Sequence, residues 1–230
     1  VELMLMTRKL ILFLVEGETD KTSFGLVFSE IFEDEQIEFQ IVHGDITTRN
    51  RVNSGNVIRK INEEIKSFMD REHYKKSDII EIIHLMDTDG AYISEELIEK
   101  HDRGKNYYYS DRLCTSHPEN TKKRNDKKSR IMDRLSSHSK INGIPYNAYY
   151  LSCNLEHVLH NDANIDDNLK VEKAEEFSER YYEKKFEFLD FIRTNSFAVE
   201  GSYKESWEFI KQGINSLNRY SNLHLVFEEF

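Results

Sequence analysis

The amino-acid sequence predicts an α/β fold with a mainly parallel sheet of about four strands flanked by helices. Two observations carry this. Short apolar runs rich in β-branched residues alternate four times, over roughly 150 residues, with stretches whose apolar positions recur every three or four residues. Two of those runs stop abruptly in acidic residues and glycine. In open parallel sheets the carboxyl ends of the strands are where ligands bind.

The first strand is "LILFLV", Leu10 to Val15. Thr19 to Phe32 follows as a helix, with Phe24, Val27, Phe28, Ile31 and Phe32 on one side. "IEFQIV", 37 to 42, alternates as a strand and runs into "HGDITTRN". Over 57 to 69, Val57, Ile58, Ile61, Ile65, Phe68 and Met69 stand at helical spacing. "DIIEIIHLM", 78 to 86, is a third strand, apolar enough for burial on both faces, and it ends in "DTDG". "HDRGKNYYYS" reads as a loop or an edge strand. Residues 121 to 140 are basic at first and helical by their end. "YNAYYLS", 146 to 152, is the fourth strand, and "NLEHVLHN" follows it. Residues 169 to 192 read as one helical stretch. Residues 203 to 217 read as another, with Tyr203, Trp207, Ile210, Ile214 and Leu217 at alternating spacings of four and three. The expected division is an α/β domain over 1–165, with a basic insertion at about 103–140, and a helical extension over 166–230 packed on it.

With 38% hydrophobic residues and two prolines, the chain can bury a core and is not low-complexity. A net charge of -10 excludes a general nucleic-acid coat but not a local basic groove. Cys114 and Cys153 fit no disulfide framework or zinc spacing, so a reducing cytoplasm is the expected compartment. The run Leu10 to Val15 is too short to span a membrane, and the opening "VELMLMTRK" does not read as a signal peptide.

The acidic strand ends admit more than one reading. Glu18, Thr19 and Asp20 suit a helix N-terminus, where they favour the dipole. With Glu16 they also suit a strand tip that holds a metal. "HLMDTDG" is either an Asp/Gly-rich turn or a ligand pair, Asp87 and Asp89. An EF-hand is excluded: its loop would need an oxygen ligand at Ala91 and a glutamate at Ile98. A strand ending in Asp-x-Asp-Gly also occurs in haloacid-dehalogenase-like phosphatases. That family usually carries it on its first strand and needs a later lysine and a second acidic pair. "NIDDN" has a pair but no strand before it, and Glu16 is left unexplained. Parallel packing of strands one and three would bring Glu16, Asp87 and Asp89 to one edge.

A first strand ending in Glu-Gly and a third ending in Asp-x-Asp resemble the Toprim domain. This is the metal-dependent catalytic domain of topoisomerases, primases and OLD-type nucleases. Glu16 matches its first position, and Asp87 and Asp89 its second. Asp20, four residues after Glu16, matches a second acidic position of the OLD-type nucleases. Glu156, in "YYLSCNLEHVLHN", matches the carboxylate they carry after the fourth strand. The resemblance covers roughly residues 8 to 160. The same "NLEHVLH" also reads as a plain helix capped by Asn154, with His157 and His160 solvent-facing or packed. No Gly-x-x-x-x-Gly-Lys-Ser/Thr occurs, so the ATPase half of OLD proteins is missing. No topoisomerase tyrosine domain or primase zinc domain is recognisable. The resemblance therefore implies a free-standing, Mg²⁺- or Mn²⁺-dependent endonuclease of anti-phage defence, working with a separate ATPase chain. It leaves open DNA against RNA, the trigger and homo-oligomerisation. A catalytically idle Toprim-fold binding module is the rival of another class.

Phosphodiester hydrolysis by this route uses two ions about 4 Å apart, held by hard oxygen ligands. The resemblance assigns Glu16, Asp87, Asp89 and Glu156 as catalytic. Glu16, Asp87 and Asp89 would hold one ion, Asp20 and Glu156 would hold or border the other, and Glu18 would be an exposed first-turn residue. An acidic site needs cations nearby to attract a polyanion. Lys122, Lys123, Arg124, Lys127 and Lys128 in "KKRNDKKSR" are the expected phosphate contacts, with Arg49 and Arg51 and the hydroxyls of Thr47 and Thr48. The run also reads as a solvated loop. Tyr107, Tyr108 and Tyr109 either stack bases or form an edge strand. Lys204, in "SYKESWEF", is a candidate for steadying the transition state.

Overall fold

A computed structural model describes residues 9–33, 36–41, 45–102 and 104–228. The signal-peptide reading of residues 1–8, and the strand end and turn at 42–44, fall outside the described residues.

Among the described residues, eight strands occur in chain order: β1 (Leu10–Val15), β2 (Gln36–Ile41), β3 (Ile79–Asp87), β4 (Ile98–Lys100), β5 (Tyr107–Tyr108), β6 (Leu113–Thr115), β7 (Lys140–Ile141) and β8 (Ile144–Leu151). Among them run seven helices: α1 (Glu18–Ile31), α2 (Val57–Glu72), α3 (Pro118–Ser136), α4 (Leu155–His160), α5 (Lys170–Tyr181), α6 (Lys185–Ile192) and α7 (Tyr203–Ile210). The main sheet has the order β2-β1-β3-β8-β7. Its first four strands are parallel, and β7 pairs antiparallel with β8 at the edge. The expected α/β architecture is therefore present, with five strands in the main sheet rather than four. The excess is the two-residue β7, too short to announce itself in sequence. A second, three-stranded sheet, β4-β6-β5, fills the segment between β3 and α3.

All six residues of β1 are buried because the sheet is covered on both faces. Alternation divides its side chains. Leu10, Leu12 and Leu14 enter a core with Val57, Ile61, Ile65 and Phe68 of α2, Ile131 and Leu135 of α3, and Trp207 of α7. Ile11, Phe13 and Val15 enter the opposite core with Phe24 and Phe28 of α1, Phe177 of α5 and Phe188 of α6. The second core is dense in rings: Phe24 and Phe28 stack with centroids 4.9 Å apart, and Phe188 meets both edge-on. Phe28→Ala would remove the ring on which these contacts converge and cost about 3–5 kcal/mol.

Three helical expectations change. Residues 169–192 break at Tyr182 and Glu183, where Glu183 takes φ 56°, so α5 and α6 are separate helices. The stretch 203–217 ends as an α-helix at Ile210, and a 3₁₀ turn follows at Asn215–Leu217 beyond Gly213 at φ 53°. The basic run is not a loop. It lies inside α3, which starts with Pro118 in its first turn, where a missing N–H costs nothing. Among the described residues, no helix is long and apolar enough to cross a membrane.

Candidate functional site

The parallel strands end at one edge, and their ends are stitched together. The Asp87 N–H donates to Glu16 Oε1 at 3.2 Å, across from the tip of β1 to the tip of β3. Thr88 N–H donates to the Leu151 carbonyl at 3.0 Å, and Asp89 N–H to the Cys153 carbonyl at 2.7 Å, tying β3 to β8. The Thr88 hydroxyl accepts from Cys153 N–H at 2.8 Å and donates to the Ser216 carbonyl at 2.9 Å. Asp89 and Gly90 both take left-handed conformations, φ 49° and 68°. A Cβ at Gly90 would also come within 2.7 Å of Leu217, so the turn needs glycine there.

This edge gathers carboxylates from four segments. Glu16 follows β1, and Asp20 lies in the first turn of α1. There Asp20 is 7% exposed and accepts the Gly17 N–H at 3.0 Å. Asp45 follows β2, and Asp87 and Asp89 close β3. Glu156, in the first turn of α4, is buried, and Asn154 caps that helix by accepting the His157 N–H at 2.9 Å. The helix is capped as the plain reading has it, and Glu156 also turns inward beside Asp20, whose ionisation it opposes. Glu18 is exposed.

Two lysines meet these acids. Lys128 of α3 is wholly buried, with Nζ 2.6 Å from Asp89 Oδ2, 2.7 Å from Asp45 Oδ2 and 3.9 Å from Glu16 Oε1. Lys170, at the start of α5, lies 3.4 Å from Glu156 Oε1. Burial works against the charge on Asp45, but Lys128 and the Thr47 hydroxyl and N–H bring its pKa down to about 2. Asp89 is lowered too: Lys128 and Arg124 outweigh burial there. Lys128 itself is raised well above its usual range, because Asp89, Asp45 and Glu16 outweigh its burial. The other acids move the opposite way. Burial pushes Glu16 well up despite Lys128, with Asp45, Asp89 and Asp20 adding to it. Burial, then Glu16, Asp20 and Asp89, pushes Asp87 well up. Burial, helped by Glu156, puts Asp20 at about 7.

No protein-family model, curated protein or solved structure matches the chain.

The edge thus brings together Glu16, Asp20, Asp87, Asp89 and Glu156. Among the described residues, however, no three His, Cys, Asp or Glu side chains stand close enough to hold a metal ion as they are placed. One observation favours a cation as a ligand here. Asp87 Oδ1 is buried and has no hydrogen-bond partner among the described residues, which in an ionised carboxylate calls for one.

The basic residues divide. Lys128 is inside the acidic cluster and cannot meet solvent phosphate. Arg124 donates to the Asp89 carbonyl at 2.8 Å, and Lys127 to the carbonyls of Thr48 and Arg49 at 3.0 and 2.6 Å. Lys122 pairs with Glu119, and Lys123 is exposed. Arg49 pairs with Glu64, Arg51 is exposed, and Thr47 is fully buried against Asp45 rather than offered to phosphate. Lys204 is exposed on α7 and lines a depression with Asp133, Ser136 and Trp207, not the carboxylate edge. Sequence reasoning missed Asp45, Lys170 and the inward position of Lys128. It named Tyr108 as a base-stacking or edge-strand residue but did not foresee that its hydroxyl donates to Asp89 Oδ1 at 3.2 Å. For Asp45 a signal existed, since it too follows a parallel strand.

Proposed function

We propose that the chain is a metal-dependent phosphodiesterase acting on nucleic acid, a nuclease of the Toprim type. The single observation behind this is the convergence, at the carboxyl ends of the four adjacent parallel strands, of partly or wholly buried acids whose charges are only partly balanced by the protein. Glu16, Asp20 and Asp87 are pushed toward their neutral forms, and a bound cation would hold them ionised. Mg²⁺ ions at such an edge supply an activated water and a Lewis acid for the leaving oxygen. The chain's own residues have distinct tasks. Asp87 offers its unpartnered Oδ1, and Glu16, fixed by the Asp87 N–H, lies beside it. Lys128 keeps Asp45 and Asp89 ionised and in place. Glu156 and Asp20 form the far side of the site, next to Lys170. These 230 residues carry no phosphate-binding loop, so this reading assigns any ATP-driven step to an ATPase outside them and has it share the defence role.

The test is cleavage of single- and double-stranded DNA and RNA by purified protein, with Mg²⁺ or Mn²⁺ and with EDTA. Cutting should require the metal. Glu16→Gln and Asp87→Asn should each abolish it while circular dichroism stays native; full activity in both would refute the assignment. A second reading has its own observation. Lys128 and Lys170 already set ammonium groups against the acids, as suits a Toprim-fold module that binds without cutting. Thermal stability separates the two: Mn²⁺ should raise the melting temperature of the native chain but not of Asp87→Asn if the site takes metal.

A further inference from the structure

Beside the acidic edge lies a cavity of about 230 Å³. Two of its walls continue the site. Tyr108 lines it and bonds Asp89 through its hydroxyl; His157 lines it and directly follows Glu156. The Tyr108 wall is rigid. Asn164 Oδ1 accepts the Tyr108 N–H at 2.9 Å and its Nδ2 donates to the Tyr108 carbonyl at 2.8 Å, so one side chain replaces a strand neighbour.

The lining has a definite chemistry. Asn161 presents an amide group, Asn218 lines the cavity while its Nδ2 donates to the Ser110 and Ile214 carbonyls, Tyr109 presents a ring, and no lysine or arginine takes part. Asp162 adds a carboxylate, which disfavours a phosphate. His157 Nδ1 is buried and has no hydrogen-bond partner among the described residues. A buried ring nitrogen without a partner calls for one. Amides, a phenol and an imidazole around a small cavity suit a neutral, planar, hydrogen-bonding heterocycle. Enzymes that take bases out of a stack read them with this combination of ring contact and polar edge.

We propose that this cavity receives one nucleobase of the strand whose phosphate lies at the carboxylates. The adjacency rests on the phosphodiesterase reading; the chemistry of the cavity does not. The strand must be unpaired at that nucleotide, so the favoured substrates are single-stranded or frayed.

The experiment has two arms. In EDTA, the four ribonucleosides are titrated into ¹⁵N-labelled protein, and the side-chain amide signals of Asn161 and Asn218 are followed. At least one nucleoside should move them saturably. Ser110→Phe, which fills the cavity, should weaken that binding about tenfold or more, as should Tyr109→Ala, a change at a partly exposed ring that keeps the test alive if the larger residue is not tolerated. In the second arm, Mg²⁺-dependent cutting is measured on oligonucleotides with an abasic nucleotide at successive positions. One position near the cut should lower the rate about tenfold in the native chain and not in Ser110→Phe. No response to any nucleoside, or a response that survives both substitutions, overturns the cavity assignment. Cutting that ignores every abasic position overturns it too and leaves the nuclease reading standing. Saturable nucleoside binding by a chain that cuts nothing upholds the cavity and refutes the nuclease.

Discussion

Asp45 and Asp89 share the Lys128 ammonium and are driven toward their ionised forms; Glu16, Asp20 and Asp87, on the same sheet edge, are driven toward their neutral forms. Half-buried acids occur in both groups, Asp45 and Asp89 in one and Glu16 and Asp87 in the other, so exposure alone does not distinguish them. Distance to a fixed cation does: 2.6 to 2.7 Å for the first pair, 3.9 Å for Glu16. One half of the edge is therefore complete as a folded structure. The other half is poised to gain from any positive charge that arrives, which is where a perturbed carboxylate points to function rather than to packing.

The largest effect should come from removing the shared cation. Lys128→Met keeps the volume and leaves the half-buried Asp45 and Asp89 without their shared cation, which should cost about 3–5 kcal/mol in urea unfolding. A loss under 1 kcal/mol would mean that the two halves do not differ in the way described.

Next comes pH. Asp20 ionises near 3.8 when unfolded and about 7 when folded, so the folded state holds the extra proton between those values. Its contribution to stability is full below 3.8 and is lost as pH rises through 7. Asp45 runs oppositely: about 2 when folded, its contribution is present above 3.8 and lost as pH falls through 2. Metal-free protein should accordingly weaken between pH 5 and 8. Asp20→Asn should remove much of that decline, a gain on the order of 2–4 kcal/mol at pH 8. Unfolding curves at both pH values decide it, and an undiminished decline in the variant would place the titration elsewhere.

The smallest effect concerns phosphate contacts. Of the five expected basic residues on α3, Lys122 and Lys123 are left to meet a strand, because Arg124, Lys127 and Lys128 are committed to the protein. Substituting both by alanine should lower the salt dependence of nucleic-acid binding by no more than about two counterions. A drop near five would mean that α3 turns its inward residues out on binding.

What the sequence made legible follows from which residues are apolar. The strands and α1 and α2 were readable because burial on both sheet faces demands apolar runs, and the acids stood out at the ends of those runs. The register of α3 was not. Its buried positions Thr121, Asn125, Lys128, Met132 and Leu135 keep spacings of four and three, yet the first three are polar. A helix that buries its N-terminal half against an acidic site has no hydrophobic stripe there to read. Asp45 was overlooked because Thr47 and the arginines after it suggested phosphate contacts, although its strand ends at the same edge as Glu16. The break at Glu183 lies in a charged stretch without glycine or proline, so nothing local marks it.

Ser216 gives the acidic edge a dependence on the order of synthesis. Its carbonyl takes the Thr88 hydroxyl at 2.9 Å and the Cys153 N–H at 3.3 Å, and its own hydroxyl accepts the Tyr92 N–H at 3.2 Å. Next along, Tyr220 receives the Ser152 N–H at 2.8 Å. The turns that carry Asp87, Asp89 and Glu156 are thus pinned from behind by residues made long after them. A nascent chain stalled before Ser216 should have its sheet in place and its acids unaligned, so under the proposed function a growing polypeptide on the ribosome could not yet cut. Ribosome-bound chains arrested before and after residues 216–221 have left the exit tunnel would reveal this as an abrupt onset of protease resistance around Thr88.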